Sequence, residues 1–174
     1  MPMRKLFLTL LATVLILPAA ALAGRDSPGD GSLVVSSADG RLTVQGKGLI
    51  YGHLDGGKIT VVDYTPDDNT ALPSVSGAKL KIVGGNVVYF GNDVRFLFPG
   101  GRYTLIFDGI GISISAVGNG KITAIAAGTS DDGSFTVDGN RTLPITAEGA
   151  VSASYGKGGI GSTGASSSRI IKNG

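Results

Sequence analysis

The stretch that decides the fold is GISISAVGNGKIT, residues 111–123. It alternates aliphatic with small residues, which is typical of a β-strand whose side chains point to opposite faces. Asn119-Gly120 interrupts the alternation, and this dipeptide tolerates the positive φ angles that tight hairpin turns require. The pattern predicts a hairpin in which Val117 pairs with Ile122. The stretch carries no side chain that readily does chemistry, so we interpret it as architecture.

The same pattern extends over the rest of the chain. Glycine accounts for 29 of the 174 residues, whereas about 7% is usual, and Asp-Gly or Asn-Gly pairs recur as turn signals. No segment of the mature chain keeps the 3.6-residue period of an amphipathic helix. Between the turn signals lie about eleven short β-rich runs, at residues 32–36, 41–45, 49–54, 58–64, 79–83, 86–90, 94–98, 102–107, 112–115, 121–126 and 134–138. The sequence therefore predicts an all-β fold.

We expect one antiparallel β-sandwich or flattened barrel of about 10–11 short strands within residues 32–155. A second hairpin is predicted at Pro99-Gly100, which would place Phe96 opposite Tyr103. A short β-solenoid is the alternative, because the regular spacing and the glycine content also suit that fold. Sandwich hairpins pair neighbouring strands antiparallel, whereas a solenoid stacks successive turns in parallel.

The N-terminus reads MPMRKLFLTLLATVLILPAAALA, residues 1–23. A basic start, a short apolar run and a small-x-small site at Ala21-Leu22-Ala23 predict a signal peptide. The apolar run is shorter than the roughly 20 residues that a membrane span needs. We therefore expect a secreted or extracytoplasmic protein, associated with the cell envelope, that has no membrane span after cleavage. Residues 24–31 should form a flexible N-terminal segment.

A faint repeat divides the β domain. The sequence GLIYGHLDGGKITVV, at 48–62, aligns with GISISAVGNGKITAI, at 111–125. This match suggests two similar halves of roughly 60 residues. The polar stretch 63–77, which contains two prolines, is predicted to be a long loop that joins them. Residues 156–174 are rich in Gly and Ser and are predicted to be a mobile tail.

The charge of the chain argues against a nucleic-acid partner, and its lack of cysteine excludes stabilisation by disulfides. The precursor has 15 basic and 13 acidic residues; removal of the signal peptide takes away Arg4 and Lys5, so the mature net charge is about zero. A neutral chain argues against a nucleic-acid partner, which needs clustered Lys and Arg. There is no Cys, so the stability of the domain must come from a buried apolar core.

Residues suited to catalysis are few. His53 is the single histidine and Glu148 the single glutamate. His53 and Asp55 would share one face if their strand continues, but no Gly-x-Ser-x-Gly nucleophile elbow is present. Most aspartates lie in turn signals, where hydrogen bonding to the backbone explains them. The sequence therefore favours a protein that is not an enzyme.

Calcium is the metal that the sequence suits best, since one His and no Cys serve zinc poorly. Calcium takes oxygen ligands from loops, and Asp63, Asp67 and Asp68 cluster in the predicted loop beside Asn69. Asp131-Asp132-Gly133 is a second acidic turn. Neither stretch has the spacing of a recognised calcium loop. Asp63, Asp67 and Asp68 are thus the candidate calcium ligands, and no other cofactor is expected.

Two stretches carry a resemblance: RLTVQGKGLIYGHLDGGKITVVDYTPDD, beginning at Arg41, and VYFGNDVRFLFPGGRYTLIFDGIGISISAVGNGKIT, beginning at Val88. Over roughly residues 32–126 the chain resembles an uncharacterised family of small secreted β-rich proteins of actinobacteria. The resemblance implies an exported bacterial β domain. It brings no assigned activity and no site residues.

Three hypotheses for function follow. The first is an exported non-catalytic β domain with a structural or binding role at the bacterial cell envelope, whose partner would be a cell-wall or envelope component. The second is a calcium-stabilised adhesive or ligand-binding module that uses Asp63, Asp67 and Asp68. The third is a hydrolase that uses Asp carboxylates or His53; it requires a concave pocket in which these groups converge.

Overall fold

The computed structural model describes residues 29–68, 70–128 and 132–156. The predicted signal peptide, most of the segment 24–31 and the tail from residue 157 lie outside these residues. The described chain is all-β and contains no helix. Its strands are β1 (Gly31–Thr65), β2 (Ser74–Val83), β3 (Asn86–Phe98), β4 (Arg102–Ala126), β5 (Ser134–Val137), β6 (Arg141–Pro144) and β7 (Val151–Tyr155).

Long bent strands replace the 10–11 short strands that we expected. β1 runs for 35 residues and β4 for 25, and each contains several of the predicted runs. β1 pairs with β4 in two registers. In the first, residues 31–47 of β1 face residues 102–118 of β4; in the second, residues 40–61 face residues 105–126. Residues 40–47 therefore lie between two segments of the same partner strand.

These pairings sort the strand segments into two rows. The first row, called layer A, contains residues 31–38, 48–56, 74–76, 92–98 and 110–118 together with β5 and β6. The second row, called layer B, contains residues 40–47, 57–65, 78–83, 86–91, 102–109 and 119–126 together with β7. Strands β1 to β4 each cross from one layer to the other, as strands do where they switch sheets at bends.

Aromatic side chains from the two layers meet in the core. The rings of Phe96 in layer A and Phe107 in layer B have centroids 5.0 Å apart, and those of Phe98 and Tyr64 are 5.3 Å apart in an edge-to-face arrangement. All four belong to or pack against one apolar cluster. The two layers therefore pack face to face as in a β-sandwich.

The alternative architectures do not fit the strand pairing. Every pair of strands in the described residues is antiparallel, whereas the solenoid requires parallel stacking. The sheet order β2-β3-β1-β4-β7 is open, so the flattened barrel is not formed either. The prediction of an antiparallel all-β fold is confirmed.

Glycine allows the strands to bend between layers. Gly48 and Gly118 face each other across β1 and β4, at φ angles of 128° and 141°. A Cβ atom at Gly48 would lie 2.2 Å from the Val117 carbonyl oxygen, and one at Gly118 would lie 2.0 Å from the Lys47 carbonyl oxygen. No side chain fits at either position, because the two backbones are in contact there.

The predicted hairpin at Asn119-Gly120 is wrong. Gly120 lies within β4, opposite Gly46 and Tyr155, and a Cβ atom on it would lie 2.3 Å from the Gln45 carbonyl oxygen and 2.8 Å from the Tyr155 hydroxyl. That hydroxyl is 3.0 Å from the Tyr103 hydroxyl, and both tyrosines are buried. Glycine is therefore required at position 120 by the close approach of the neighbouring backbone and of the Tyr155 hydroxyl rather than by a turn.

The Pro99-Gly100 hairpin is wrong as well. Phe96 does not face Tyr103; it pairs with Gly52 of β1 and Val75 of β2. Tight turns occur elsewhere. Gly84-Gly85, both at positive φ, joins β2 directly to β3. Asp138-Gly139, one of the Asp-Gly pairs that signal turns, lies between β5 and β6.

The connection between the two proposed halves is shorter than predicted. β1 continues to Thr65 and β2 begins at Ser74, so the loop covers residues 66–73 rather than 63–77. The two stretches of the faint repeat, 48–62 and 111–125, each pass from layer A to layer B. Their similar sequences thus accompany similar paths, and the duplication itself stays a prediction.

The buried tyrosine pair gives a prediction for stability. Burial raises the pKa of Tyr103 and of Tyr155 above the ordinary value of 10.0. Replacing either tyrosine alone with phenylalanine leaves the other hydroxyl buried without this partner, which should cost about 1–3 kcal/mol of unfolding free energy. The double variant should cost less than the sum of the two single variants, and a double-mutant cycle in urea measures this coupling. Additive losses would contradict the contact.

The same pair predicts a loss of stability in alkali. The folded protein keeps both phenols protonated at a pH at which the unfolded chain ionises them. The unfolding free energy should therefore be unaffected by these groups below pH 10 and fall above it, by about 1.4 kcal/mol per pH unit for each tyrosine. The control is the double phenylalanine variant, whose decline above pH 10 should be shallower. Identical slopes would show that the phenols do not contribute.

Candidate functional site

Basic side chains gather on one surface of the molecule, the outer face of layer B. Strand alternation places them there: Leu42 and Val44 are buried, while Arg41 and Lys47 beside them are exposed. This surface is called the basic face. Its basic residues are Arg41, Lys47, Lys58, Lys79, Lys81, Arg102 and Lys121, and its acidic residues are Asp63 and Asp108.

One end of the basic face is partly neutralised. Arg41, Asp108 and Lys58 lie opposite one another on adjacent strands. The Asp108 carboxylate accepts a 2.6 Å hydrogen bond from Arg41 Nη2 and lies 3.4 Å from Lys58 Nζ. The hydrogen bond from Arg41, together with the Lys58 charge, lowers the pKa of Asp108. Next to this group, Lys81 Nζ lies 4.8 Å above the ring centre of Phe90.

The other end of the basic face contains a shallow depression of about 620 Å³. Lys47, Arg102 and Lys121 line it, with Asp63 among the polar residues at its edge. Lys47 is directly opposite Arg102 on the neighbouring strand. In the described part of the chain, Arg102 and Lys121 have no carboxylate within 4.0 Å.

The structure distributes the candidate calcium ligands along the rim of the basic face. Asp63 lies near the end of β1 opposite Thr104, and Asp67 is 3.4 Å from Lys47 Nζ. Asp68 is exposed in the turn that follows. Among the described residues, no three His, Cys, Asp or Glu side chains are grouped closely enough to hold a metal ion. Asn69 and Asp131 lie outside the described residues, and Asp132 is 2% exposed.

The calcium hypothesis nevertheless makes a direct prediction. If Asp63, Asp67 and Asp68 bind calcium, millimolar Ca²⁺ should raise the Tm relative to EDTA, because a ligand bound only to the folded state stabilises it. The measurement is a thermal melt of the purified mature chain, with Mg²⁺ as the control for ionic strength. An unchanged Tm would dismiss the hypothesis.

The outer face of layer A contains the residues of the hydrolase hypothesis. His53 and Asp55 share one face of β1, as predicted, and His53 Nε2 is 3.6 Å from Asp55 Oδ1. A groove of about 640 Å³ runs beside them, and Ser113 lies directly opposite His53. Ser113 Oγ accepts a hydrogen bond from the Ser37 backbone.

The groups in this groove do not form a relay. In the residues that the structure describes, no hydrogen bond joins His53 to Ser113. Asp93 also lines the groove, but its carboxylate faces Arg95 at 3.3 Å. The His53 and Asp55 side chains are 46% and 68% exposed, so solvent screens their interaction. A nucleophile activated by a histidine needs a nucleophile–base hydrogen bond, and this geometry does not supply it.

Sequence reasoning missed the basic face, although part of its signal was present. Arg41, Gln45 and Lys47 occupy alternating positions of one run and therefore share a face. The other members come from strands that are far apart in sequence, and only the register of β1 with β4 brings them together. The net charge of the predicted mature chain is close to zero, so it gave no sign that basic residues gather on one face.

The described residues include no helix with the length and apolar character that crossing a membrane would require. Comparison with protein-family models, with curated proteins and with solved structures gives no significant match to this chain.

Proposed function

We propose that the chain is an exported, non-catalytic β domain that binds an anionic polymer of the bacterial cell envelope through the basic face. The observation that carries the proposal is the concentration of seven basic side chains against two carboxylates on one outer sheet face, with Asp67 pairing Lys47 at the rim. The predicted signal peptide and the resemblance to secreted β-rich proteins support the envelope as the location.

The sheet makes this surface a rigid platform for charge recognition. Neighbouring strands lie about 4.8 Å apart, and outward residues of one strand repeat every 6–7 Å or so. The backbone positions that carry the basic residues are therefore closely and regularly spaced over this face. An extended polymer with a charge on each repeat unit can contact several of them at once, and the counterions it releases favour binding.

The outer face of layer A does not have this excess of basic side chains. The residues along its groove include His53, Arg95 and two serines, with Asp55 and Asp93 as acidic members. Arg95 is already close to Asp93. The contrast supports binding by layer B, and it provides matched control positions on the same fold.

The test is co-sedimentation of the mature protein with purified cell-wall material at low salt. Binding should weaken steeply as salt is raised and should fall when anionic polymers are extracted from the wall. The four-site variant Lys79→Gln, Lys81→Gln, Arg102→Gln and Lys121→Gln should lose affinity by up to about a thousandfold, since each basic side chain near an anionic surface contributes about 1 kcal/mol.

The control is the pair Arg95→Gln and Arg141→Gln, which removes basic side chains outside the basic face. This variant should bind the wall as the wild type does. Wall binding that is independent of salt, or that falls equally in the control, would contradict the proposal. Recovery of the wild-type protein entirely in the supernatant would do so as well.

A further inference from the structure

We infer that the depression between Lys47, Arg102 and Lys121 binds a phosphate group of a phosphodiester-linked wall polymer. This inference rests on the proposed function and names the group that the basic face recognises. The depression is distinct from the Arg41–Asp108–Lys58 cluster, where a carboxylate already lies between the cations.

Uncompensated repulsion is the first observation that points to an anion here. Lys47 and Arg102 are cross-strand neighbours, and like charges in directly opposite positions destabilise a sheet. Lys121 lies diagonally across from Lys47, because Lys47 pairs with Asn119. Asp67 contacts Lys47 from the loop side, whereas Arg102 and Lys121 have no ion pair in the described residues. A bound anion would relieve the remaining repulsion.

The shape and rigidity of the depression are the second observation. The base of the depression consists of residues from paired strands, among them Gly46, Thr104 and Gly120, which the sheet holds in place. On the core side of this base, the buried Tyr103 and Tyr155 are joined through their hydroxyls. The three cations therefore surround a concave site that is already formed, and binding would not have to order its base.

The arrangement of donors suits phosphate better than carboxylate. Two lysine ammonium groups and one guanidinium stand on three different strand segments around the site. A tetrahedral phosphate can accept hydrogen bonds from several directions at once, whereas a carboxylate is matched best by the planar fork of a single arginine. Asp63 at the edge opposes any anion, so its neutralisation should strengthen binding.

Nucleic acid and lipid surfaces fit the site less well. Single-stranded nucleic acid is held by bases stacked on exposed aromatic rings, but Tyr103 and Tyr155 are buried. Insertion into a membrane needs a contiguous apolar patch. Val62 and Ile125 are exposed aliphatic residues of layer B. They do not form one patch, because residues 40–47 and 102–109 lie between their strand segments.

The experiment measures the Tm of the full mature chain in inorganic phosphate against chloride at equal ionic strength. Phosphate at about ten times the Kd should raise the Tm by about 3–5 °C for a domain of this size. Acetate should give a smaller shift. The variant Arg102→Gln with Lys121→Gln should lose the shift, the matched variant Lys79→Gln with Lys81→Gln should keep it, and Asp63→Asn should increase it.

Equal shifts in the two double variants, or equal shifts in phosphate and acetate, would overturn the inference. So would the absence of any phosphate shift in the wild type; the proposed function would survive that result if salt-sensitive wall binding persisted. A second assay compares the binding of poly(glycerol phosphate), single-stranded DNA and anionic phospholipid vesicles to the wild type. The polymer should bind most tightly, and tighter binding of either competitor would overturn the assignment of the phosphate source.

Discussion

Gly118→Ala is expected to destabilise the protein by about 4 kcal/mol or more, which is at the upper end of single substitutions. The added Cβ atom would lie 2.0 Å from the Lys47 carbonyl oxygen, and that oxygen belongs to a strand paired on both sides. The clash between the new Cβ atom and this oxygen could be avoided only if the two strands separated where they cross between the layers. The unfolding free energy from urea denaturation measures the effect.

Gly149→Ala is the matched control for backbone strain. Gly149 has a φ of 147°, close to the 141° of Gly118, but a Cβ atom there would have nothing within 4 Å. It should show only the conformational cost of a positive φ, about 1–3 kcal/mol. If the two substitutions cost the same, the close approach of the strands at Gly118 does not exist.

Phe107→Ala is expected to cost about 3–5 kcal/mol, because it removes a fully buried ring from the contact between the layers. Phe107 is 0% exposed, and its ring centroid is 5.0 Å from that of Phe96. The control is Phe90→Ala on the basic face, where the ring is half-buried and lies under Lys81. That substitution should cost clearly less. Urea denaturation of both variants compares them.

A double-mutant cycle separates the contact between the layers from general burial. Phe96 and Phe107 should show a coupling of about 0.5–1.5 kcal/mol, the range measured for aromatic pairs. Phe90 and Phe107 should show none, because distant sites without shared partners are additive. The absence of coupling between Phe96 and Phe107 would mean that the layers do not meet there.

The sequence was sufficient for the fold class and insufficient for the path of the chain. Alternating residues and the absence of a helical period predicted an antiparallel all-β protein, since both depend on local geometry. Asn119-Gly120 was interpreted as a turn because the dipeptide permits one. Gly120 is actually required because the Gln45 carbonyl oxygen and the Tyr155 hydroxyl lie too close to the place that a Cβ atom would take, and no local pattern connects positions so far apart.

The candidate site, like the fold, could be predicted from the sequence only where local geometry decides it. Strand alternation is local, so the shared face of Arg41 and Lys47 could have been predicted from the sequence. The sequence could not indicate that Arg102 and Lys121 join Lys47 on either side, because that depends on the two registers of β1 with β4. Asp63, Asp67 and Asp68 were grouped by proximity in sequence, whereas in the structure Asp67 pairs with Lys47. For anion recognition the distribution of charge over the sheet matters more than its sum.

The most direct test of the basic face is a titration of the ¹⁵N-labelled mature protein with poly(glycerol phosphate), followed through the backbone amide signals. Shifts should be concentrated in the layer B segments 40–47, 57–65, 78–83, 102–109 and 119–126 and should disappear at high salt. Shifts concentrated in residues 48–56 and 92–98 of layer A, or none at polymer concentrations that saturate wall binding, would contradict the assignment of the face.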